Sequence, residues 1–566
     1  MTKPSLIAVF SLFICWASFA GAAQRPPAAA IASAHPLATD AGFEILNAGG
    51  NAFDAAVAIS AALAVVEPSG SGLGGGGFWL LHRAEDNREV MIDGRERAPL
   101  AATATMYLDA NGEPVPRLSL DGALAAGIPG TPAALVHLAR EYGKLPLARS
   151  LEPAIRLARD GFAIDEHYRA MIGFRITALR ASPAAAAIFL HDGEVPTVGD
   201  VVRQTDLANV LEAIVHEGRA GFYAGEVADA LIAGVRTAGG IWSKDDLADY
   251  KVIEREPVHG MYRGIRITSA PPPSSGGIAL VTMLNVLSGY ELDKLDPITQ
   301  RHLIVEAMRR AYRDRAIYLG DPDFVTIPSE LTEPAYASGL RSAIRTDRAM
   351  PSALLPGLPA EVTGTDTTHF SVLDEAGNRV AATLSVNLPF GAGFVPPGTG
   401  VLLNNEMDDF STKPGAPNAY GLIGSAIDGG TQANAIAPGK RPLSSMTPTF
   451  LDDGKRVAIL GTPGGSRIIS MVLLASLEFA RGGKPADWVS AGRYHHQFFP
   501  DRITYEPDAL TAEEIAGLKK LGHTLQVSDR RYGNMQIVLW NRETNTVDAA
   551  SDPRGGGGAE TRATAR

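Results

Sequence analysis

The sequence predicts an α+β protein, with helices dominating up to about residue 350 and strands dominating after it. Three observations carry this. Between about residues 130 and 350, segments such as PAALVHLAREYG, LANVLEAIVHEG and HLIVEAMRRAYRDRAIYLG place apolar residues at helical spacing. A proline- and glycine-rich stretch from Pro351 to Thr365 then breaks that pattern. Beyond it, residues Thr367 to Leu373 and Arg379 to Val386 alternate as strands do, joined by the turn sequence DEAGN. With 566 residues, 45% apolar and 20% charged, the chain can bury a large core and has room for one large domain or two to three ordinary ones.

The first element is a targeting segment. MTKPSLIAVFSLFICWASFAGAA has an early lysine, an apolar run from Leu6 to Ala20 and small residues at Ala20 and Ala22. This reads as a secretory signal peptide over residues 1–22, cut near Ala22, because the run is shorter than the roughly 20 apolar residues a spanning helix needs. An exported protein, periplasmic or secreted, is the expectation. The lone cysteine, Cys15, lies inside that segment, so the mature chain is expected to carry no thiol. That excludes disulfides, cysteine nucleophiles and cysteine-metal sites. A net charge of -11 without a lysine or arginine tract gives no electrostatic case for nucleic acid.

PLATDAGFEILNAGGNAFDAAVAISAALAVVEP reads as two helices, the first closing at Gly49 and Gly50, the second starting after Asn51. In GSGLGGGGFWLLHR, glycines 72, 74 and 77 satisfy G-x-G-x-x-G, but a helix precedes them and a strand follows, the reverse of a dinucleotide site. A tight backbone crossing fits better. LEPAIRLARDGF continues the helical pattern, and APPPSSGGIALVTML is a rigid turn leading into a buried helix.

In the hairpin, setting Asp374 opposite Arg379 makes paired residue numbers sum to 753, which puts Thr367 opposite Val386 within about one residue. Ser385 then returns beside Thr367. A threonine hydroxyl is a poor nucleophile without a base. A cut between Asp366 and Thr367 would supply one, an α-amine with a pKa of about 7.7 to 8.0 on the same residue. Two ordinary strand threonines fit these residues as well.

TTHFSVLDEAGN, GVLLNNEMDDFS, KRPLSSMTPT and GTPGGSRII, in that order, resemble the γ-glutamyltransferases (glutathione hydrolases) of the N-terminal nucleophile hydrolase superfamily. The resemblance extends upstream through GLGGGGF, IDGRERAP, IPGTPAALV and PPPSSGGIAL, and downstream to ASDPRGGGGA. It implies a four-layer αββα sandwich, two stacked antiparallel sheets between helical layers. It also implies self-cleavage before Thr367 into a large subunit, 23–366, and a small subunit, 367–566, which pair as a heterodimer. The implied reaction cleaves the γ-glutamyl amide of glutathione and related compounds through a γ-glutamyl-enzyme on Thr367. The acyl group then passes to water, an amino acid or a peptide, with ping-pong kinetics.

The resemblance also implies roles. Arg95 matches the arginine that grips the substrate α-carboxylate, for which a guanidinium fork is suited. Ser444 and Ser445 match hydroxyls binding the same carboxylate, and Asn387, Glu406 and Asp409 match groups around the α-ammonium. Gly464 and Gly465 match the backbone N–H groups that stabilise the oxyanion. Ser385 stands where the family commonly has threonine and is expected to orient Thr367. Gly94 replaces a larger residue before the arginine, which predicts a looser seat for Arg95. The segment KPGAPNAYGLIGSAIDGGTQANAIAPGKRPLSS resembles a lid loop, longer than expected, with Tyr420 as its covering residue.

Other residues read as structural. His369 suits a hydrogen bond better than a general base, being two positions from the nucleophile on a period-two strand. His495 and His496 point to opposite faces without a third ligand. NNEMDDFS lacks EF-hand spacing. No metal and no cofactor is assigned. Two rival functions remain: a glutaryl-type β-lactam (cephalosporin) acylase of the same fold, whose substrate lacks the α-ammonium, and a non-catalytic exported binding protein, which predicts an uncut chain.

Overall fold

A computed structural model describes residues 24–355, 367–424 and 432–563. The signal segment with Cys15, the Asp366 side of the expected cut and part of the lid-like segment lie outside the described residues. No helix among the described residues is long and apolar enough to cross a membrane.

Two antiparallel sheets form the centre. Their strands are β1 (Ala29–Ser33), β2 (Gly76–Arg83), β3 (Arg88–Gly94), β4 (Ile253–Arg255), β5 (Val258–Tyr262), β6 (Ile265–Ser269), β7 (Thr368–Leu373), β8 (Arg379–Ser385), β9 (Thr449–Asp452), β10 (Arg456–Gly461), β11 (Gln536–Asn541), β12 (Thr546–Ser551) and β13 (Gly558–Arg562). The first sheet has the order β13-β1-β7-β8-β2-β3-β4 and the second β12-β11-β10-β9-β6-β5. They touch face to face, with β10 and β11 against β7. Strand alternation assigns the faces. In β2, Trp79 and Leu81 enter the core shared with the helix Ala52–Val66, while Phe78 and Leu80 enter the core shared with the second sheet. The helices Gly276–Leu287, Pro297–Tyr318 and Ile468–Arg481 pack into that second core. Helix, sheet, sheet, helix is the αββα architecture expected from the resemblance.

The early elements follow their local signals. The first helix runs Pro36–Asn47, and the second, Ala52–Val66, starts from a capping box in which Asn51 and Asp54 satisfy each other's backbone N–H. Every residue of the second helix is buried, which its alanines permit by keeping the contact distance short. Between this helix and β2, a Cβ on Gly74 would sit 2.1 Å from the Leu402 carbonyl oxygen, and one on Gly75 2.1 Å from that of Ser385. The glycine run is therefore a backbone crossing.

Two expectations gain detail. The stretch from 130 to 350 is mostly helical but also contributes β4, β5 and β6. These strands have three to five residues, too short for alternation to outweigh the helical pattern around them. The hairpin register falls one residue from the Asp374–Arg379 pairing, inside the expected range of about one: Arg379 pairs with Leu373 and Leu384 with Thr368, so paired numbers sum to 752. One step past the ladder, Ser385 stands opposite Thr367. The cause is the turn, where Asp374 accepts from Ala376 N, Asn378 N and Asn378 Nδ2 and so belongs to the loop.

Candidate active site

Strand alternation presents Thr367. In β7, Phe370 and Val372 face the helix-side core, whereas Leu373 faces the second sheet. Thr367, His369 and Ser371 share Leu373's parity, so they point between the sheets. Thr368 points the other way and donates its hydroxyl to Glu67 Oε2 at 2.5 Å, at the end of the helix Ala52–Val66. His369 bonds Thr383 Oγ1 at 2.8 Å and Ser371 Oγ at 3.3 Å and fills the space a side chain on Gly461 would need. Burial lowers its pKa to about 3. It is a neutral spacer between sheets.

Thr367 borders two cavities. The smaller is lined by Arg95, Ser385, Asn387, Asp409, Ser444 and Ser445, with Tyr420, Met446, Gly465 and Ile468 closing it. Residues from five distant stretches thus meet at one hydroxyl. Two expected residues lie apart. Glu406 stands behind Arg95 and does not line the cavity, and Gly464 lines the second cavity, on the other side of Thr367.

Arg95 extends from the end of β3 and is fully buried. Its Nη2 lies 2.5 Å from Asp409 Oδ2, and its Nη1 lies 2.7 Å from Glu406 Oε2 and 3.5 Å from Glu96 Oε2. The Glu406 contact is an ion pair without hydrogen-bond alignment, since both Glu406 oxygens lack a hydrogen-bond partner. Nε donates to the Pro442 carbonyl, the backbone N–H to Asp93 Oδ1, and Tyr250 donates to the Arg95 carbonyl. The loose seat predicted from Gly94 is therefore not observed. Gly94 is a glycine because a Cβ there would meet the Trp79 ring at 2.8 Å. Burial raises the pKa of Glu406 and lifts that of Glu96 to about 7, opposed in both by Arg95. One guanidinium faces three carboxyl groups, two of which burial holds towards their protonated form, so an added cation beside them would favour their ionisation.

Opposite Arg95, the Ser444 carbonyl accepts from Ser275 N and Ser275 Oγ, which fixes the loop carrying the serine pair. Behind this loop lies Arg315, which the sequence reading missed. Its Nε donates to Ser275 Oγ at 3.1 Å and its Nη2 to Ser445 Oγ at 3.4 Å. Among the described residues no carboxylate is within ion-pair distance of it, and burial lowers its pKa to about 10. The signal was available: Arg315 continues the stripe Met308, Ala311, Tyr312 of the helix Pro297–Tyr318, a charge at an apolar position.

Asn387 has a φ of +76°, tolerable for asparagine, and its backbone N–H donates to Ser385 Oγ at 2.7 Å. Its Nδ2 donates to the Asn405 carbonyl, and its carbonyl accepts from the Tyr420 hydroxyl at 2.8 Å. Tyr420 lies over Gly465, where a Cβ would meet the ring at 2.3 Å. Gly464 and Gly465 have φ of +142° and +56°, a turn only glycine forms without strain. Asp408, beside these groups, holds Ser119 and the Ala419 N–H, and burial pushes its pKa up to about 7.

Among the described residues one trio, His302, Glu306 and His523, could bring three metal-ligand atoms together. Its atoms are already engaged: the two histidines bond each other at 2.7 Å, and Glu306 pairs with Arg309 and Arg310. His495 bonds Ser470 and Gln497, and His496 bonds Asp501, so those histidines are structural.

The sequence profile of the gamma-glutamyltranspeptidase family matches residues 38–561. A glutathione hydrolase proenzyme from Escherichia coli (strain K12) is 43% identical over 537 residues, covering 93% of this chain and 90% of that protein. Among solved structures, a cephalosporin acylase from Bacillus halodurans superposes with a TM-score of 0.82 at 28% identity, covering 99% of each chain. The gamma-glutamyltranspeptidase of Helicobacter pylori gives 0.56 at 42% identity, covering 57% of this chain and 94% of that one. The family match takes in strands of both sheets and each stretch that meets at Thr367, and on that ground the chain belongs to the gamma-glutamyltranspeptidase family.

Proposed function

We propose that this chain is an exported, self-processing γ-glutamyltransferase and glutathione hydrolase that uses Thr367 twice. In processing, Thr367 Oγ1 attacks the carbonyl carbon of residue 366, the peptide C–N bond breaks, and the resulting ester is hydrolysed by water. The freed α-amine then serves as the base. It takes the proton from Oγ1 as the hydroxyl attacks the substrate γ-carbonyl, and returns it to the departing amine. The Gly464 and Gly465 N–H groups receive the developing oxyanion. Water or a second amine resolves the γ-glutamyl ester.

The observation that carries this reading is the charge pattern beside Thr367. A γ-glutamyl head group has one carboxylate and one ammonium, and the site offers the Arg95 guanidinium with the Ser444 and Ser445 hydroxyls for the first and the acidic groups Asp409 and Glu406 beside Arg95 for the second. On binding, the α-carboxylate takes Arg95, Ser444 and Ser445, and the α-ammonium takes the place of Arg95 beside Asp409 and Glu406. In a buried site such an exchange stabilises far more than in water. A glutaryl group has the carboxylate alone. It would leave Asp409, Glu406 and Glu96 without an added cation, which disfavours the acylase reading despite the superposition on a cephalosporin acylase.

The test is intact mass and N-terminal sequencing of the purified protein beside Thr367→Ala, with turnover of γ-glutamyl and glutaryl anilides. The expected result is two pieces, the smaller starting Thr-Thr-His-Phe, no cut in the variant, and turnover of the γ-glutamyl anilide only. An uncut, inactive wild type would favour the binding-protein reading, and preference for the glutaryl anilide the acylase.

A further inference from the structure

The hairpin β7–β8 has two ends. Thr367 and Ser385 stand at one, and β8 starts at the other with Arg379, about 20 Å away at 3.4 Å per residue. Arg379 pairs in register with His82 of β2, and both share the parity of Ala381 and Leu80, whose side chains enter the core between the sheets. A cavity opens at this remote end. Its wall includes Arg379, His82, Trp540 of β11 and Asn51 at the start of the helix Ala52–Val66, with the exposed Arg25 and Lys144 at the rim. We propose that this cavity is a binding site for a small phosphate-bearing anion, with Arg379 as its buried contact.

Arg379 is 5% exposed. Among the described residues its guanidinium donates no hydrogen bond and has no carboxylate at ion-pair distance. Burial, with Arg542 adding to it, lowers its pKa to about 10, so it stays charged at neutral pH. The acids nearest this end already have cations: Glu89 pairs with Arg266 and Asp452 with Arg542. The rest of the wall repeats the imbalance. Arg83 is committed to Asp86 and Arg542 to Asp452, which leaves Arg25, Lys144 and Arg379 without a carboxylate partner among the described residues. Of the two acids on the wall, Glu141 pairs with Arg140, which leaves Glu85. Burial lowers the pKa of His82, which therefore adds a neutral ring. Three unpaired cations against one unpaired acid give a local excess of two positive charges, in a chain of net charge -11.

A guanidinium taken out of water and left without a partner destabilises the fold, and an anion seated against it offsets that cost. A phosphate group carries about -1.5 to -2 at neutral pH and offers three acceptor oxygens. Its charge matches the local excess, and its oxygens can meet the fork of Arg379 within the cavity while Lys144 and Arg25 approach from the rim. A single carboxylate has one charge and two oxygens, so it leaves part of the excess unmatched.

The experiment is isothermal titration calorimetry with inorganic phosphate, glycerol 3-phosphate and acetate at matched ionic strength, on wild type, Arg379→Gln, Lys144→Gln and Arg95→Gln, with a cooperative melt as the check on folding. Wild type is expected to bind one phosphate per chain, and acetate at least about tenfold more weakly. Arg379→Gln should weaken phosphate by about tenfold or more, the worth of a charge-assisted hydrogen bond, and Lys144→Gln by less. Arg95→Gln, in the donor cavity, should bind phosphate as wild type does. The tighter of the two phosphates tells whether the free ion or an ester is the ligand. Lys144→Gln, at an exposed position, decides the matter if Arg379→Gln does not fold. No saturable phosphate binding by wild type, or an affinity that survives in the folded variants of this cavity, overturns the site. Loss in Arg95→Gln with none in Arg379→Gln and Lys144→Gln places the anion in the donor cavity and overturns it too, and acetate binding as tightly as phosphate overturns the choice of phosphate.

Discussion

Arg315 shows what a single buried residue can reveal. A guanidinium out of water costs several kcal/mol unless it is paired, yet this one rests on two serine hydroxyls, and one of them, Ser445, lines the donor cavity. Arg95 is in the opposite state, with three carboxylates around it. The incoming α-carboxylate therefore meets an unneutralised positive charge through Ser445 as well as the fork of Arg95. Arg315→Gln is expected to raise KM for a γ-glutamyl anilide about tenfold, ~1.4 kcal/mol, with a smaller change in kcat, and Arg315→Lys to recover part of the loss. The readout specific to this role is a donor lacking the α-carboxylate, a 4-aminobutyryl anilide, on which wild type and Arg315→Gln should differ little. Equal losses on both donors would mean a general packing defect.

At the scale of elements, the site depends on turns more than on helices. The Gly464–Gly465 turn leads into the helix Ile468–Arg481 and faces Thr367 from both cavities. At Gly465 a methyl group would collide with Tyr420 and force a non-glycine residue to a φ of +56°. Gly465→Ala is expected to lower kcat by about 10² to 10³, the loss typical of one oxyanion donor. The thermal midpoint should fall only modestly, because the strand and helix it joins keep their packing. Steady-state kinetics beside a melting curve separates the two effects. Strand pairing makes a second prediction. A cut before Thr367 leaves β1 between β13 and β7, β2 beside β8, and β6 beside β9, so pieces from either side of the cut share both sheets. The two pieces should therefore co-elute in size-exclusion chromatography at neutral pH and separate only in denaturant.

For the whole molecule, buried neutral histidines set the response to acid. Burial holds His369 and His495 at about 3 and His496 at about 4, against about 6.5 in the unfolded chain. The unfolded state thus binds protons that the folded state refuses. Their stabilising contribution is complete above pH 6.5 and is lost progressively as pH falls from 6.5 towards 3 to 4, by up to about 1.4 kcal/mol per pH unit per group. The thermal midpoint should drop steeply between pH 6.5 and 4, and His369→Gln, which cannot titrate, should show a shallower drop than wild type. An equal slope in both would place the acid sensitivity elsewhere.

Local devices were legible in the chain: the helix start after Asn51, the glycine crossing before β2, the hairpin that carries Thr367, and the motif residues, most of which line one cavity. These depend on periodicity, turn chemistry and steric freedom, which act over a few neighbouring residues. The hairpin register was legible only to within one residue, because side-chain bonds of Asp374 decide where the ladder ends. Long-range packing alone brings Arg95 to Glu406 and Asp409, sets Arg315 behind Ser445 with no carboxylate at ion-pair distance among the described residues, and gathers Glu67, Tyr532 and Arg530 around a cavity shared with Thr367. The reason is that the cost of burying a charge, and the partner that offsets it, are fixed by which distant segments pack together, and no local pattern in the chain records that.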